Sequence, residues 1–185
     1  MPSAFSHAIA AITLGNLIKR NPLFKMIFLG SVCSAIPDLD AIGYHWGIPY
    51  DSLWGHRGIT HSFFFAAVLA CTVLLFFYRN EKPAIRNRIC VFTYFFFATA
   101  SHPLLDMLTN GGLGVALFAP FSNDRFFFPF RPVKVSPISV GDFFSSRGWI
   151  VFKSEFIWIW IPCILVLFIS SLTGNRRKNE KNPTH

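Results

Sequence analysis

The chain is poor in charge and poorest in acid. Of its 185 residues only 14% are Asp, Glu, Lys or Arg, and nine of them are acidic. A water-soluble domain carries about a quarter charged residues, so that class is excluded. Cysteine is sparse and unpaired. Cys33, Cys71, Cys90 and Cys163 stand singly in apolar runs, which excludes CxxC zinc knuckles and leaves them as small packing residues. No positively charged region precedes the first apolar stretch, which carries His7. No cleavable signal peptide is therefore read, and the stretch is expected to stay in the mature protein. No internal repeat is found. The net charge of +8 raises nucleic acid as a partner. The basic residues fall in short clusters between apolar runs, however, with no interleaved basic and aromatic surface, so nucleic acid is not expected.

What is present is apolar bulk: 52% hydrophobic residues, with 23 Phe. Five apolar segments cover about residues 4–18, 23–36, 62–78, 89–105 and 155–172. They predict an all-α, multi-pass integral membrane helical bundle of about four to five spans. Residues 1–173 form a single membrane-embedded domain, with 107–153 as an outer loop and 174–185 as a basic disordered tail. The first two segments are short for a hydrocarbon core of about 30 Å at about 1.5 Å per residue, so an interfacial first helix stays open. The Phe-rich stretch 121–130 is either a lid touching lipid or a loop folded onto the bundle. Asn110-Gly111-Gly112 marks a turn.

Three basic clusters (Lys19, Arg20, Lys25; Arg79, Lys82, Arg86, Arg88; Arg176, Arg177, Lys178, Lys181) hold most of the 17 basic residues. If all five segments span, the clusters share one side, which the positive-inside rule makes cytoplasmic. His7, Asp38, Asp40, His56, His61, His102 and Asp106 then gather at the other side, as do Trp46, Trp54, Trp149, Trp158 and Trp160, which fit an aromatic belt. Ionisable groups at membrane depth are costly and usually functional. Histidine with aspartate is a divalent-metal ligand set.

The densest stretch is His56-Arg57-Gly58-Ile59-Thr60-His61, with Thr60 or His61 expected at the start of the third helix. Arg57 suits a phosphate or carboxylate oxygen. His102 and Asp106 are four apart and share a helix face, with Pro103 as a possible kink. Asp38 and Asp40 follow Pro37, so the backbone there is expected to be extended, with both carboxylates on one side. Asp40 is either a ligand or a partner that orients a ligand imidazole. His7 rests only on lying at the same depth, and a packing histidine is the plainer reading. His45 reads as interfacial.

His7, Pro37-Asp38-Leu39-Asp40, His56-Arg57-Gly58-Ile59-Thr60-His61-Ser62 and His102-Pro103-Leu104-Leu105-Asp106 resemble the signature of the LexA-regulated, membrane-bound, metal-dependent hydrolase family (YdjM-type) over roughly the first 140 residues. The pattern is also similar, more weakly, to zinc-dependent phospholipase C, although no Glu closes the pattern as the phospholipase ligand set would require. The resemblance implies a hydrolase in the bacterial inner (plasma) membrane, with its site facing outward and its C-terminus cytoplasmic. His7, Asp38, His56, His61, His102 and Asp106 would hold one or two divalent ions, zinc foremost. A phosphoesterase acting on phospholipid or lipid-linked phosphate is expected, with a metal-activated water as nucleophile. Asp40 would position that water or orient a ligand. Arg57 would steady the phosphate, and Arg131 and Lys134 would contact a headgroup unless they are simple surface charges. The rival readings are a membrane metal transporter or sensor without hydrolytic activity, and a scaffold whose His and Asp are only structural.

Overall fold

A computed structural model describes residues 1–18, 23–80, 85–136 and 145–181. The basic residues Lys19, Arg20 and Lys82, and the tail end 182–185, lie outside them. Helix α1 covers Ala4–Ile18, α2 Phe24–Ala35, α3 Phe63–Phe77, α4 Ile85–Met107, α5 Ser146–Glu155 and α6 Ile161–Lys181. A 3-10 stretch, Ile36–Trp46, prolongs α2, and a 3-10 turn, Ile59–His61, leads into α3. A π-helical turn, Phe156–Trp160, joins α5 to α6. Among the described residues the only β-type pairings are isolated bridges, Thr109 with Val133 and Val115 with Phe126.

The protein is a helical membrane bundle. Three helices are long and apolar enough to cross a bilayer: Phe24–Trp46, Asn87–Met107 and Ser146–Thr173. The 21 residues of Asn87–Met107 extend about 32 Å at ~1.5 Å each, close to the ~30 Å of a hydrocarbon core. Helices α1 and α3 have 15 residues each and are shorter than that span. They pack against α4, as does α2, so α4 is the shared neighbour of all three. The Ser146–Thr173 helix buries only Gly148, Val151, Glu155 and Ile159 and lies on the outside of the bundle, against α1.

The packing of α4 depends on small residues. Tyr94 is fully buried and donates to the Ala11 carbonyl at 3.3 Å. It fits because Gly30 on α2 has no side chain: a Cβ there would stand 1.9 Å from Tyr94 Oη and 2.4 Å from Cζ. Small residues let membrane helices approach closely, and packing replaces the hydrophobic drive that lipid cannot supply. Ala11, Met26, Cys33, Ala70, Val73, Phe95 and Ala98 complete this core.

Three sequence expectations change. Pro37 does not end the second segment in extended chain. It sits in the first turn of the 3-10 stretch, where its missing N–H costs little. In a 3-10 helix residues two apart point about 240° apart, so Asp38 and Asp40 diverge rather than share a side. The last apolar segment begins earlier than residue 155, because Ser145 caps α5 by accepting from the Arg147 N–H at 3.2 Å. The loop after α4 is shortened accordingly. Helix α6 also runs on to Lys181, into the stretch read as a disordered tail.

Gly30→Ala forces a methyl group into the Tyr94 ring. A destabilisation of about 1–3 kcal/mol is expected, as for other overpacked cores. Thermal unfolding in detergent should show a lowered midpoint. A midpoint within a degree of wild type would contradict this account of the core.

Candidate metal centre

Successive inner helices run in opposite directions, so the start of α1, the continuation of α2, the start of α3 and the end of α4 meet at one end of the bundle. His7 comes from α1, Asp38 and Asp40 from the 3-10 stretch, and His56 and Arg57 from the loop that follows. His61 comes from the turn before α3, and His102 and Asp106 from the last turns of α4. The α3 helix starts two residues after His61, capped by Ser62, whose Oγ accepts from the Phe65 N–H at 3.1 Å.

Four of these groups converge. Ligand atoms of Asp38, His61, His102 and Asp106 all lie within 4.8 Å of one another. His102 Nε2 is 3.1 Å from His61 Nε2 and 3.2 Å from Asp38 Oδ1. His61 Nε2 is 3.7 Å from Asp38 Oδ1 and 3.6 Å from Asp106 Oδ2. The outer nitrogens fix how the rings face. His102 Nδ1 donates to the Ser34 carbonyl at 2.7 Å, and His61 Nδ1 faces Asp40 Oδ2 at 3.1 Å. Both rings thus turn Nε2 inward, which is how an outer hydrogen bond orients a ligating imidazole.

Apart from the two Nε2 atoms, which face each other, the inner atoms have no hydrogen-bond partners. Asp38 Oδ1, both Asp106 carboxylate oxygens and both His7 ring nitrogens are buried without one. Unpaired buried polar groups cost several kcal/mol, and two carboxylates at this range repel. A divalent cation would satisfy the four groups together, so the donor set fits one. Asp38 is the only member with side-chain exposure, 15% against 0% for the other three. Access is therefore from the Asp38 side.

The remaining predicted residues surround this group. His7 stacks on the His102 ring at 3.7 Å, with Nε2 3.8 Å from Asp106 Oδ1. Asp106 thus turns one oxygen toward His7 and the other toward His61. Asp40 is saturated by donors: His56 Nδ1 at 2.6 Å, Thr60 Oγ1 at 2.5 Å, the Arg57 N–H at 3.2 Å and His61 Nδ1. It thereby orients His61. The same contact turns His56 Nδ1 to Asp40, and Asp40, His56 and His61 form a second group whose ligand atoms also lie within 4.8 Å of one another.

Arg57 is 1% exposed and has a left-handed backbone, φ 66°. Strain of that kind concentrates at functional sites. Its Nη1 donates to the Gly111 carbonyl at 2.8 Å and its Nη2 to Thr109 Oγ1 at 3.0 Å. Nε lies 3.0 Å from Asp106 Oδ2, an ion pair by distance that is not aligned as a hydrogen bond. Gly58 follows because a Cβ there would meet the Leu53 carbonyl at 2.2 Å. Phe127 lies between two guanidinium groups, Arg57 at 6.0 Å and Arg131 at 4.7 Å from its ring centre. Arg131 and Lys134 are exposed, and neither belongs to the four-residue group.

The described part of the loop after α4 folds onto the bundle. The Ala116 N–H donates to the Arg57 carbonyl at 3.0 Å, and the Phe63 N–H donates to Leu117 at 3.0 Å. Arg125 donates to the carbonyls of His56, Tyr50 and Ser52. Its outer face stays apolar, with Phe118 and Phe121 exposed.

The chain matches the YdjM inner membrane protein family over residues 1–177. It belongs to that family. It is also similar to inner membrane protein YbcI of Escherichia coli (strain K12), with 32% identity over 168 residues, 90% of this chain and 95% of YbcI. No solved structure matches.

Sequence reasoning missed one buried acid of this YdjM-family chain. Glu155 is 1% exposed and accepts from the Ser3 N–H at 2.6 Å, Ser3 Oγ at 2.5 Å and Ser6 Oγ at 2.6 Å. Trp160 Nε1 donates to the same Ser6 Oγ at 2.9 Å. This knot fastens the outer helix to the start of α1, one residue from His7. The signal was available: a lone acid beside an apolar run deserves a partner. The Met1 α-amino group is buried at this end too, and burial lowers its pKa against the pull of Asp106.

Burial alone would lower the pKa of His61, but the Asp38 and Asp40 carboxylates outweigh it and raise the value to about 9. A raised folded pKa gives stability that is complete below the ordinary value of 6.5 and is lost as pH rises through about 9. Cation binding must displace that proton. Adding Zn2+ to metal-free protein at pH 7.5 in weak buffer should therefore release protons, and His61→Ala should reduce the release. Proton-neutral binding by wild type would contradict the assignment of His61.

Proposed function

We propose that this protein is a membrane-bound, metal-dependent hydrolase acting on a phosphoester of a phospholipid or lipid-linked phosphate. The observation that carries the reading is the set of buried ligand atoms, the carboxylate oxygens among them without hydrogen-bond partners, that three separate chain segments bring to one point. Asp38, His61, His102 and Asp106 would hold one divalent cation, zinc by ligand type. The bound ion supplies a water whose pKa is lowered toward neutrality.

The chain's own residues do the rest. Asp40 holds the His61 tautomer, and His56 and Thr60 hold Asp40. His7 packs on His102 and faces the second oxygen of Asp106. Arg57 neutralises Asp106 from the far side and ties the loop 109–116 over the centre. The opening beside Asp38 admits substrate, and Arg131 and Lys134 at the surface meet an anionic headgroup. Exposed Phe118 and Phe121 place the loop among lipid, where such a substrate lies. Lys25, Arg79 and Arg88 sit at the opposite end of the helices, and the positive-inside rule then puts the site on the outer face of the inner membrane. Ligands gathered at one end favour surface chemistry over transport, whose sites lie near the bilayer midplane.

Protein purified in detergent is expected to carry about one zinc per chain. Asp38→Ala and His102→Ala should lose most of it, with glycerophospholipid cleavage falling by at least about a hundredfold. Arg131→Gln should raise KM with kcat unchanged, because it removes only ground-state contact. Metal-loaded protein that cleaves no phosphoester, or that carries metal across proteoliposome membranes, would overturn the hydrolase reading.

A further inference from the structure

A second feature lies away from the metal cluster and is independent of it. Between the end of α3 and the start of α4 lies a laterally open groove of about 410 Å³. Cys71, Leu74 and Leu75 line it from α3, and Arg88, Ile89 and Phe92 from α4. The α3 residues follow the i, i+3, i+4 spacing of one helix face, so the groove is a continuous strip rather than scattered side chains. Arg88 lies about 20 Å along α4 from His102, at ~1.5 Å per residue.

The lining sorts by depth. The helices are antiparallel, so Arg88 is level with the Leu75 end of the groove, near the membrane boundary where the apolar span begins at Asn87. Cys71 and Phe92 lie further toward the bilayer middle. Leu75 and Ile89 are 66% and 60% exposed, so the strip opens sideways to lipid. Arg88 is exposed and has no hydrogen-bond or ion-pair partner among the described residues. The Arg88 guanidinium, unpaired among the described residues, therefore stands at headgroup depth at the edge of an apolar slot.

We infer that this groove binds an anionic glycerophospholipid, with its phosphate on Arg88 and an acyl chain between α3 and α4. Charge selects the occupant. A neutral or zwitterionic lipid fills the slot equally well but leaves the cation unpaired, and a basic residue at the membrane surface favours anionic lipid by about fivefold. The bound lipid would wedge the α3–α4 pair at the end remote from the His and Asp cluster.

Native mass spectrometry of the full chain in detergent, with phosphatidylglycerol or phosphatidylcholine added, tests this. Wild type should retain phosphatidylglycerol about fivefold better than phosphatidylcholine. Arg88→Gln should bring the two lipids level. Arg147→Gln, which removes the same charge from the start of α5, should keep the preference. Cys71→Trp should fill the slot and reduce retention of both lipids. Arg88→Gln alters an exposed side chain and keeps the test usable if Cys71→Trp does not fold. Equal retention of both lipids by wild type, an Arg88→Gln variant that keeps the preference, an equal loss in Arg147→Gln, or a folded Cys71→Trp variant that retains lipid like wild type would each overturn the inference.

Discussion

Two imidazole nitrogens at 3.1 Å and two carboxylates around them form an arrangement that ordinary packing does not produce. With the His102 Nδ1–H donated to the Ser34 carbonyl and the His61 Nδ1 turned to Asp40, both Nε2 atoms point inward, and deprotonation of His61 leaves the inward-facing atoms all acceptors. Each ring is held by a partner outside the cluster, and each carboxylate meets another group inside it. Removing a single outer bond would let a ring rotate and dissolve the arrangement. The conformation of the loop and the left-handed Arg57 follow from this constraint, because they bring Arg57 against Asp106 and the Arg57 N–H against Asp40.

The bundle supplies the depth. Because α4 is the shared neighbour of α1, α2 and α3, its last turns fix where the cluster lies along the membrane normal. Gly30 and Tyr94 set how closely α2 approaches α4, and hence how near Asp38 comes to His102. Core packing and ligand geometry are thus one problem in this protein. A shift of α2 by the width of a methyl group is comparable with the spacing between ligand atoms.

Much of this was legible in the sequence. The apolar runs gave the first four helices to within a few residues, though not the ends of the last, and the i, i+4 spacing put His102 and Asp106 on one face. The positions of His and Asp at alternating ends of successive segments predicted that they meet. Three things were not legible. Whether Pro37 extends the chain or tightens it into a 3-10 helix depends on packing against α4, and that choice separates the roles of Asp38 and Asp40. The grouping of His56 with Asp40 and His61, rather than with the other four ligand-type residues, depends on how the loop after the 3-10 stretch folds. Glu155 is far from the motif, and only the docking of α5 onto α1 brings it to Ser3 and Ser6.

That docking has a consequence for the start of α1. The outermost helix meets hydrocarbon along most of its length and is fastened to the inner four by the Glu155 carboxylate beside His7. The first turn of α1 is thereby held from two sides, by the inner helices and by this lipid-facing rod, so the imidazole stack at the membrane rim shares its footing with the most exposed element of the molecule.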